Sequence, residues 1–283
     1  MTSRLGLGSS YGVGQRDVER AIDRGVTYLY WGSRRRDDFG RAITHAARTR
    51  RDQLCVVVQS YSRSALALGP SVEAALRKLK LDRADVLLLG WWNAPPPARI
   101  MDNARALVES GKVRKIMVSC HNRLTFASYV ADPAYDAIMV RYNAAHRGAE
   151  GEVFPHVVDA LAAEHAAPGV VAYTATRWGA LLDRSLVPAG EAVPRASDCY
   201  RFALTRPEVD VVIAGPANGA ELDEALAALD RGPMSEDELA WMRRVGDGVK
   251  QMSATDAART RNSGALWERA VGAAQKLAER FRS

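Results

Sequence analysis

The stretch "DVLLLG", residues 85–90, decides the fold. Four apolar residues follow one another between an acid and a glycine, without the alternation of apolar and polar residues that gives a strand one solvent face. An uninterrupted apolar run is typical of a parallel strand that is buried on both faces, and "CVVV" at 55–58 has the same character. The two runs predict a parallel sheet whose faces are covered by helices.

Apolar runs of this kind return about every 30 residues, which is the length of one strand, helix, strand unit. The eight strand candidates are 5–9, which is the weakest, 26–31, 55–60, 85–90, 115–120, 136–142, 169–175 and 209–215. Segments with helical spacing lie between them, for example Val72, Ala75, Leu76 and Leu79. Eight such units close into a (β/α)8 TIM barrel, an α/β fold, and a doubly wound open sheet is the alternative.

A single domain is expected, because one barrel of this type commonly contains about 250 residues and the chain has 283. The barrel is expected to span about 4–230. Helical spacing at 222–229, 239–249 and 265–281 predicts helices after the last strand, so that additional C-terminal helices occupy about 235–283. No segment between these elements has the length of an interdomain linker.

Charge and cysteine content exclude several classes of function. The formal net charge is +6 and the basic residues are spread among 33 acidic ones, so no nucleic-acid groove is expected. The three cysteines are scattered, which predicts neither a disulfide framework nor a metal site. No apolar run reaches the roughly 18 residues of a membrane span. We expect a cytoplasmic protein with a small-molecule ligand and no membrane partner; the oligomeric state stays open.

Aromatic and basic residues collect at the ends of the predicted strands, where the loops of a barrel build its active site. The segment 26–40, "VTYLYWGSRRRDDFG", passes from a strand through two rings into three arginines. Rings at several strand ends favour a flat or cationic ligand, and packing of loops over the barrel is the alternative. Candidate ligand-binding residues are Trp31, Trp91, Trp92, Arg141, Asn143 and Arg177.

Three residues are candidates for catalysis: His121, Tyr61 and Tyr30. His121 follows a predicted strand, and an imidazole can donate or accept a proton at neutral pH. No lysine that would activate either phenol is evident, so a structural role of the tyrosines competes with a catalytic one. Arg141 and Arg177 would present guanidinium groups to a carboxylate or a phosphate, with an ion pair outside the barrel as the alternative.

Several segments resemble the aldo-keto reductase family. Residues 111–122, "GKVRKIMVSCHN", are similar to its "GKVRxIGVSN", residues 142–156, "YNAAHRGAEGEVFPH", to its "YNLLxRxxExEVLP", and residues 169–182, "GVVAYTATRWGALL", to its "GVVAYSPLxxGLL". The likeness covers roughly 5–229 in the right order and spacing. It implies a TIM barrel and a relation to enzymes that reduce carbonyl groups with NADPH.

The resemblance also implies where the family's four catalytic residues would lie. Its aspartate falls on Tyr30, its tyrosine on Arg35, its lysine near Ser60 or Tyr61, and its histidine on Gly90. None of the four residues is present. The family's usual carbonyl reduction is therefore expected to be lost.

The cofactor residues implied by the resemblance are Ser119, Tyr173, Gly215 and Glu224. In the family, the serine holds the nicotinamide amide and the tyrosine stacks on the ring. The amide's other partners fall on Cys120 and Met139, and one of two cations expected beside the 2′-phosphate falls on Glu221. A carboxylate beside a phosphate is repulsive. We expect no cofactor, or weak binding of NADP(H).

Three functions stay open at this point. The first is an aldo-keto-reductase-like barrel that binds and transforms a small organic molecule at an aromatic, arginine-edged mouth, without standard carbonyl reduction. The second is an NAD(P)-dependent oxidoreductase that uses a substitute acid such as Tyr61 or His121. The third is a non-catalytic binding or regulatory protein, because one fold hosts many functions.

Overall fold

The computed structural model describes residues 2–33, 36–163 and 167–253. Eight parallel strands form a closed barrel in which each strand pairs with its sequence neighbours and the eighth pairs with the first. The predicted (β/α)8 TIM barrel is confirmed, and the open sheet is excluded. The helix predicted at 265–281 lies outside the described residues.

Each strand candidate corresponds to one strand of the barrel, with bounds that differ by two residues or fewer. Continuous apolar sequence therefore locates the strands well. The strands are β1 (Leu5–Gly8), β2 (Tyr28–Trp31), β3 (Cys55–Ser60), β4 (Ala84–Leu89), β5 (Val113–Ser119), β6 (Ala137–Arg141), β7 (Gly169–Tyr173) and β8 (Val211–Ala214).

Helices cover the outside of the barrel. None of those in the described ranges is long and apolar enough to cross a membrane. Residues 236–253 are also helical and are called the C-terminal segment below. The preceding helices are α1 (Gln15–Asp23), α2 (Asp37–Arg50), α3 (Ala65–Leu79), α4 (Ala98–Glu109), α5 (Phe126–Ala131), α6 (Ala149–Glu152), α7 (Phe154–Ala162), α8 (Ala196–Leu204) and α9 (Gly219–Arg231).

Buried side chains form two separate cores, one between the strands and the helices and one inside the barrel. The outer core packs one face of every strand against the helices. The inner core lies inside the barrel, where Val57 and Leu88 meet Met117 and Met139. Because the interior is packed, ligand space has to lie above it, at the carboxyl ends of the strands.

The C-terminal segment packs closely against the loop that follows β6. A Cβ atom added at Gly246 would lie 2.1 Å from the carbonyl oxygen of Ala144, which follows β6. Asp247 also forms an ion pair with Arg147 at 2.9 Å. The predicted helix at 239–249 is thus present, and glycine at 246 is required by the close approach of two backbones.

Candidate functional site

A cavity of about 660 Å³ opens at the carboxyl ends of the strands. Each of the eight strands contributes a lining residue, within the strand or just after it. The volume and the partly aromatic lining are those of a site for a small organic molecule. Lining residues that the sequence singled out are Tyr30, Tyr61, Trp91, Ser119, His121, Tyr173 and Gly215. The ends of the strands that carry these residues therefore meet at one rim.

Tyr30 lies at the floor of the cavity, at the position implied for the family's aspartate. Its hydroxyl donates to the side-chain oxygen of Gln59 on the neighbouring strand. Burial, and after it the neighbouring Tyr61, raises the pKa of Tyr30 well above its usual value. A buried phenol that already donates to an amide holds its proton strongly, so the floor of the cavity is neutral.

Gln59 is a site residue that the sequence analysis missed. The lysine position was expected near Ser60 or Tyr61, but Ser60 points outward, with its Oγ 3.1 Å from Ser71 Oγ. Gln59 points inward because Val57, two residues earlier, belongs to the inner core and side chains alternate along a strand. This alternation was the available signal.

Tyr61 occupies the space that a side chain at position 90 would need. A Cβ atom added at Gly90 would lie 2.5 Å from a ring atom of Tyr61 and 2.7 Å from the amide nitrogen of Gln59. The Tyr61 ring also packs on Trp91, with ring centroids 5.3 Å apart. The ring of Tyr61, packed on Trp91, therefore fills the space that the family's histidine would need.

Trp91 has a left-handed backbone, with φ of 59°. Its N–H donates to Ser119 Oγ at 3.0 Å, and Arg63 donates to its carbonyl oxygen at 2.6 Å. Such a conformation is costly for a bulky residue and persists only where the surroundings impose it, as functional sites do. The half-exposed Trp91 ring is thereby held at the cavity rim.

His121 lines the cavity beside Trp91, with ring centroids 5.4 Å apart. Its Nδ1 lies 3.1 Å from Nη2 of Arg141, which can only donate. Burial, and after it the charge of Arg141, lowers the pKa of His121. The imidazole is therefore neutral with its proton on Nε2, and this N–H is the group it offers to a ligand.

Two of the predicted ligand-binding rings do not line the cavity, which corrects that expectation. Trp31 points outward because Tyr30 points inward, and its Nε1 donates to the carbonyl of Arg36 at 3.1 Å. Trp92 is buried under the guanidinium of Arg63, whose Cζ lies 4.0 Å from the ring centroid. Both indoles support the loops around the cavity.

Asn143 and Glu224 are also structural rather than lining residues. Asn143 is fully buried, accepts from the N–H of Ala145 at 3.0 Å and donates to the carbonyl of Thr174 at 2.8 Å, so it joins the loops after β6 and β7. Glu224 forms an ion pair with Arg195 at 2.5 Å. Ser197 Oγ also donates to Glu224, and the expected contact of Glu224 with a cofactor stays a prediction.

At the start of α9, a carboxylate of the protein itself accepts a hydrogen bond from the backbone. Glu221 lines the cavity and accepts from the N–H of Ala217 at 2.8 Å, and the side chain of Asn218 caps the helix by accepting from the N–H of Glu221 at 3.0 Å. Backbone amides at a helix start ordinarily attract anions. Here an acid already satisfies one of these groups.

Arg141 and Arg177 lie beside the cavity without lining it. The Cζ atom of Arg141 is 5.1 Å from the ring centroid of Trp178, a lining residue that the site prediction omitted. Arg35, the position implied for the family's tyrosine, lies outside the described residues. Across the ranges that the structure describes, no cluster of His, Cys, Asp or Glu could hold a metal ion.

His146 makes stability depend on pH. Burial, followed by the charges of Arg177 and Arg141, lowers its pKa from 6.5 to about 4. The unfolded chain therefore binds more protons between these values, so the free energy of unfolding falls as the pH drops through this window. Urea unfolding at pH 7.5 and pH 5 is expected to show this loss, and His146→Gln is expected to reduce it. An equal loss in the variant would contradict the assignment.

Comparison with known proteins identifies the family. The model of the aldo/keto reductase family matches residues 14–189. A comparison with curated protein sequences gives no match. An aldo-keto reductase from Bacillus halodurans in its holo form is similar in structure, with a TM-score of 0.71, 19% sequence identity and coverage of 86% of this chain and 92% of that one.

An aldo/keto reductase from Klebsiella pneumoniae in complex with NADP and acetate gives a TM-score of 0.70 at 24% identity, covering 87% of this chain and 92% of that one. At this identity the structural likeness speaks for the fold, whereas the family model covers more than half of the sequence itself. The chain belongs to the aldo/keto reductase family.

Proposed function

We propose that this family member binds and transforms a small organic molecule in the cavity at the barrel mouth, and that carbonyl reduction with NADPH has been lost. The observation that carries the proposal is the neutral pair of Tyr30 and Gln59. It stands where the resemblance implies a proton relay. With Gly90 covered by Tyr61, the described residues place neither a histidine nor a cation-activated phenol at that point.

The residues present do not fit NADP(H) well. Tyr173 lines the cavity and offers a ring for stacking, but the apolar Met139 replaces one amide partner. The oxygen of Ser119 already accepts from Trp91, and Glu221 presents a carboxylate where the 2′-phosphate would need a cation. The Klebsiella pneumoniae enzyme is bound to NADP. In this chain we infer weak binding and assign no step to the cofactor.

NADPH binding is the first test. A lost charge-assisted contact costs about 1.5–3 kcal/mol and each of the two lost amide hydrogen bonds about 1 kcal/mol, which together weaken binding roughly a thousandfold. We therefore expect no saturation below about 1 mM in calorimetry, and no NADPH oxidation with a panel of reactive aldehydes. Low-micromolar binding would overturn the loss of the cofactor.

Turnover separates the alternatives. NADPH oxidation that disappears in Tyr61→Phe or His121→Ala would establish the oxidoreductase with a substitute acid. His121 offers Nε2–H to the cavity, which makes it the residue to test first. Small-molecule binding without any conversion would favour a binding or regulatory protein. Trp91 and Trp178, both exposed at the cavity, are the fluorescent reporters.

A further inference from the structure

Two arginines beside the cavity, Arg141 and Arg177, have no acid partner within the ranges that the structure describes. Among the described residues neither Arg141 nor Arg177 forms an ion pair, whereas Arg51, Arg123 and Arg147 each do. Nε of Arg141 and Nη1 of Arg177 are buried and have no acceptor. A buried donor without a partner costs about 1–3 kcal/mol, a cost that a bound acceptor would remove.

Both arginines belong to the same side of the cavity. Arg141 ends β6, pairs in register with Tyr173 of β7 and touches His121 on the other side. Arg177 follows β7 and adjoins Trp178 in the chain. Tyr173, His121 and Trp178 all line the cavity, so the two positive charges flank it.

The backbone that carries Arg177 is held in a strained form. Thr174, Arg177 and Trp178 have φ values of 60°, 53° and 53°, in the left-handed region. The buried side chain of Asn143 fixes the start of this turn by donating to the carbonyl of Thr174. Strain at three residues of one loop persists where the position of a side chain matters for function.

The two arginines repel each other. Burial, and after it the charge of Arg141, lowers the pKa of Arg177, and the same two arginines contribute to the low pKa of His146. The carboxylate among the lining residues belongs to Glu221, which is engaged at the start of α9. An anion at this side of the cavity would relieve the repulsion.

We propose that the molecule bound in the cavity carries an oxyanion, a carboxylate or a phosphate, which Arg141 and Arg177 hold. Its flat body lies against the rings of Tyr61 and Trp91. This rests on the proposed function, since it names the ligand class of the same cavity. Guanidinium groups match the geometry of carboxylate and phosphate oxygens. The neutral His121 adds one N–H donor beside the anion.

Matched pairs of ligands test the proposal. Binding of 1-naphthoate and 1-naphthyl phosphate is measured by tryptophan fluorescence and calorimetry, next to the neutral 1-naphthamide. We expect at least one anion to bind at least tenfold more tightly than the amide, and binding to weaken with salt. The anion that binds more tightly shows whether the cavity prefers a carboxylate or a phosphate. Equal binding of anion and amide overturns the proposal and leaves the proposed function standing.

Variants assign the contact to the two arginines. Arg177→Ala and Arg141→Ala are each expected to weaken anion binding about tenfold to a hundredfold, as the loss of a charge-assisted contact does, and to leave the amide unaffected. Arg177→Lys is expected to be intermediate. The control is Arg105→Ala, which removes an exposed charge from α4. An anion that binds unchanged to both alanine variants overturns the assignment.

A second readout does not depend on the variants folding well. In wild-type protein, NMR titration of His146 is expected to show its pKa rising from about 4 when the anion is bound, because the bound charge offsets Arg177 and Arg141. An unchanged pKa at saturating anion contradicts the proposal. Micromolar NADPH binding together with these results would overturn only the proposed function.

Discussion

Arg201→Met is expected to lower the free energy of unfolding by about 3 kcal/mol, the low end of the range for breaking a buried ion pair. Arg201 is 4% exposed and donates to both carboxylate oxygens of Glu238, at 2.6 and 2.8 Å, and to the carbonyl of Gly232 at 2.8 Å. Without it the partly exposed Glu238 loses its main cation, and the buried Asp198, whose Oδ1 lies 3.7 Å from Arg201 Nη1, loses one of two. Arg231 still pairs with Asp198 at 2.6 Å, which limits the loss.

Urea unfolding at pH 7 measures this change. The control is Arg24→Met, which removes an exposed pair with Asp230 and is expected to change stability by less than about 1 kcal/mol. Urea unfolding at acidic pH provides a second test. Arg201 is the main cause that lowers the pKa of Glu238 from 4.5 to about 2, so this stabilisation is present above pH 4.5 and is lost as the pH falls towards 2. A constant difference between variant and wild type across that range would contradict the pairing.

Gly246→Ala is expected to destabilise the protein by about 1–3 kcal/mol, as overpacking does. The added Cβ would lie 2.1 Å from the carbonyl oxygen and 2.3 Å from the carbonyl carbon of Ala144. Backbone atoms cannot rotate away, so the C-terminal segment has to shift. Ala144 follows Asn143, which joins the loops after β6 and β7, and binding in the cavity is expected to weaken too.

The matched control for this substitution is Gly151→Ala. Gly151 lies in α6, where an added Cβ would meet nothing within 4 Å. Its replacement is expected to be neutral or to stabilise by up to about 1 kcal/mol, because alanine restricts the unfolded chain. Urea unfolding of both variants measures the two changes in stability. Equal midpoints would show that the contact at Gly246 is not restrictive.

The fold could be predicted because buried parallel strands have a continuous apolar sequence. "DVLLLG" and "CVVV" lie in β4 and β3, and the closed barrel follows from eight such runs. Helix bounds were less predictable. Proline favours the first turn of a helix, but α3 starts at Ala65, ahead of Pro70, because Leu68 is fully buried and stabilises the preceding turn. Burial by the tertiary structure outweighs the preference of proline for helix starts.

The site could be predicted in part. Strand ends located Tyr30, His121 and Tyr173, since all eight ends meet at one rim. Alternation along a strand, applied consistently, would have added Gln59 and removed Trp31. The roles of Trp91 and Trp178 follow from left-handed backbones that only tertiary contacts impose, and no local pattern reports these.

The packing of Tyr61 over Gly90 makes these two positions epistatic. With Tyr61 in place, any side chain at position 90 would overlap its ring, so Gly90→His in the present chain has to displace that ring before it can add a catalytic group. Replacing Tyr61 by a small residue first would open the space. A mutational path between this chain and a reductase with the family's histidine is therefore ordered, with position 61 changing before position 90.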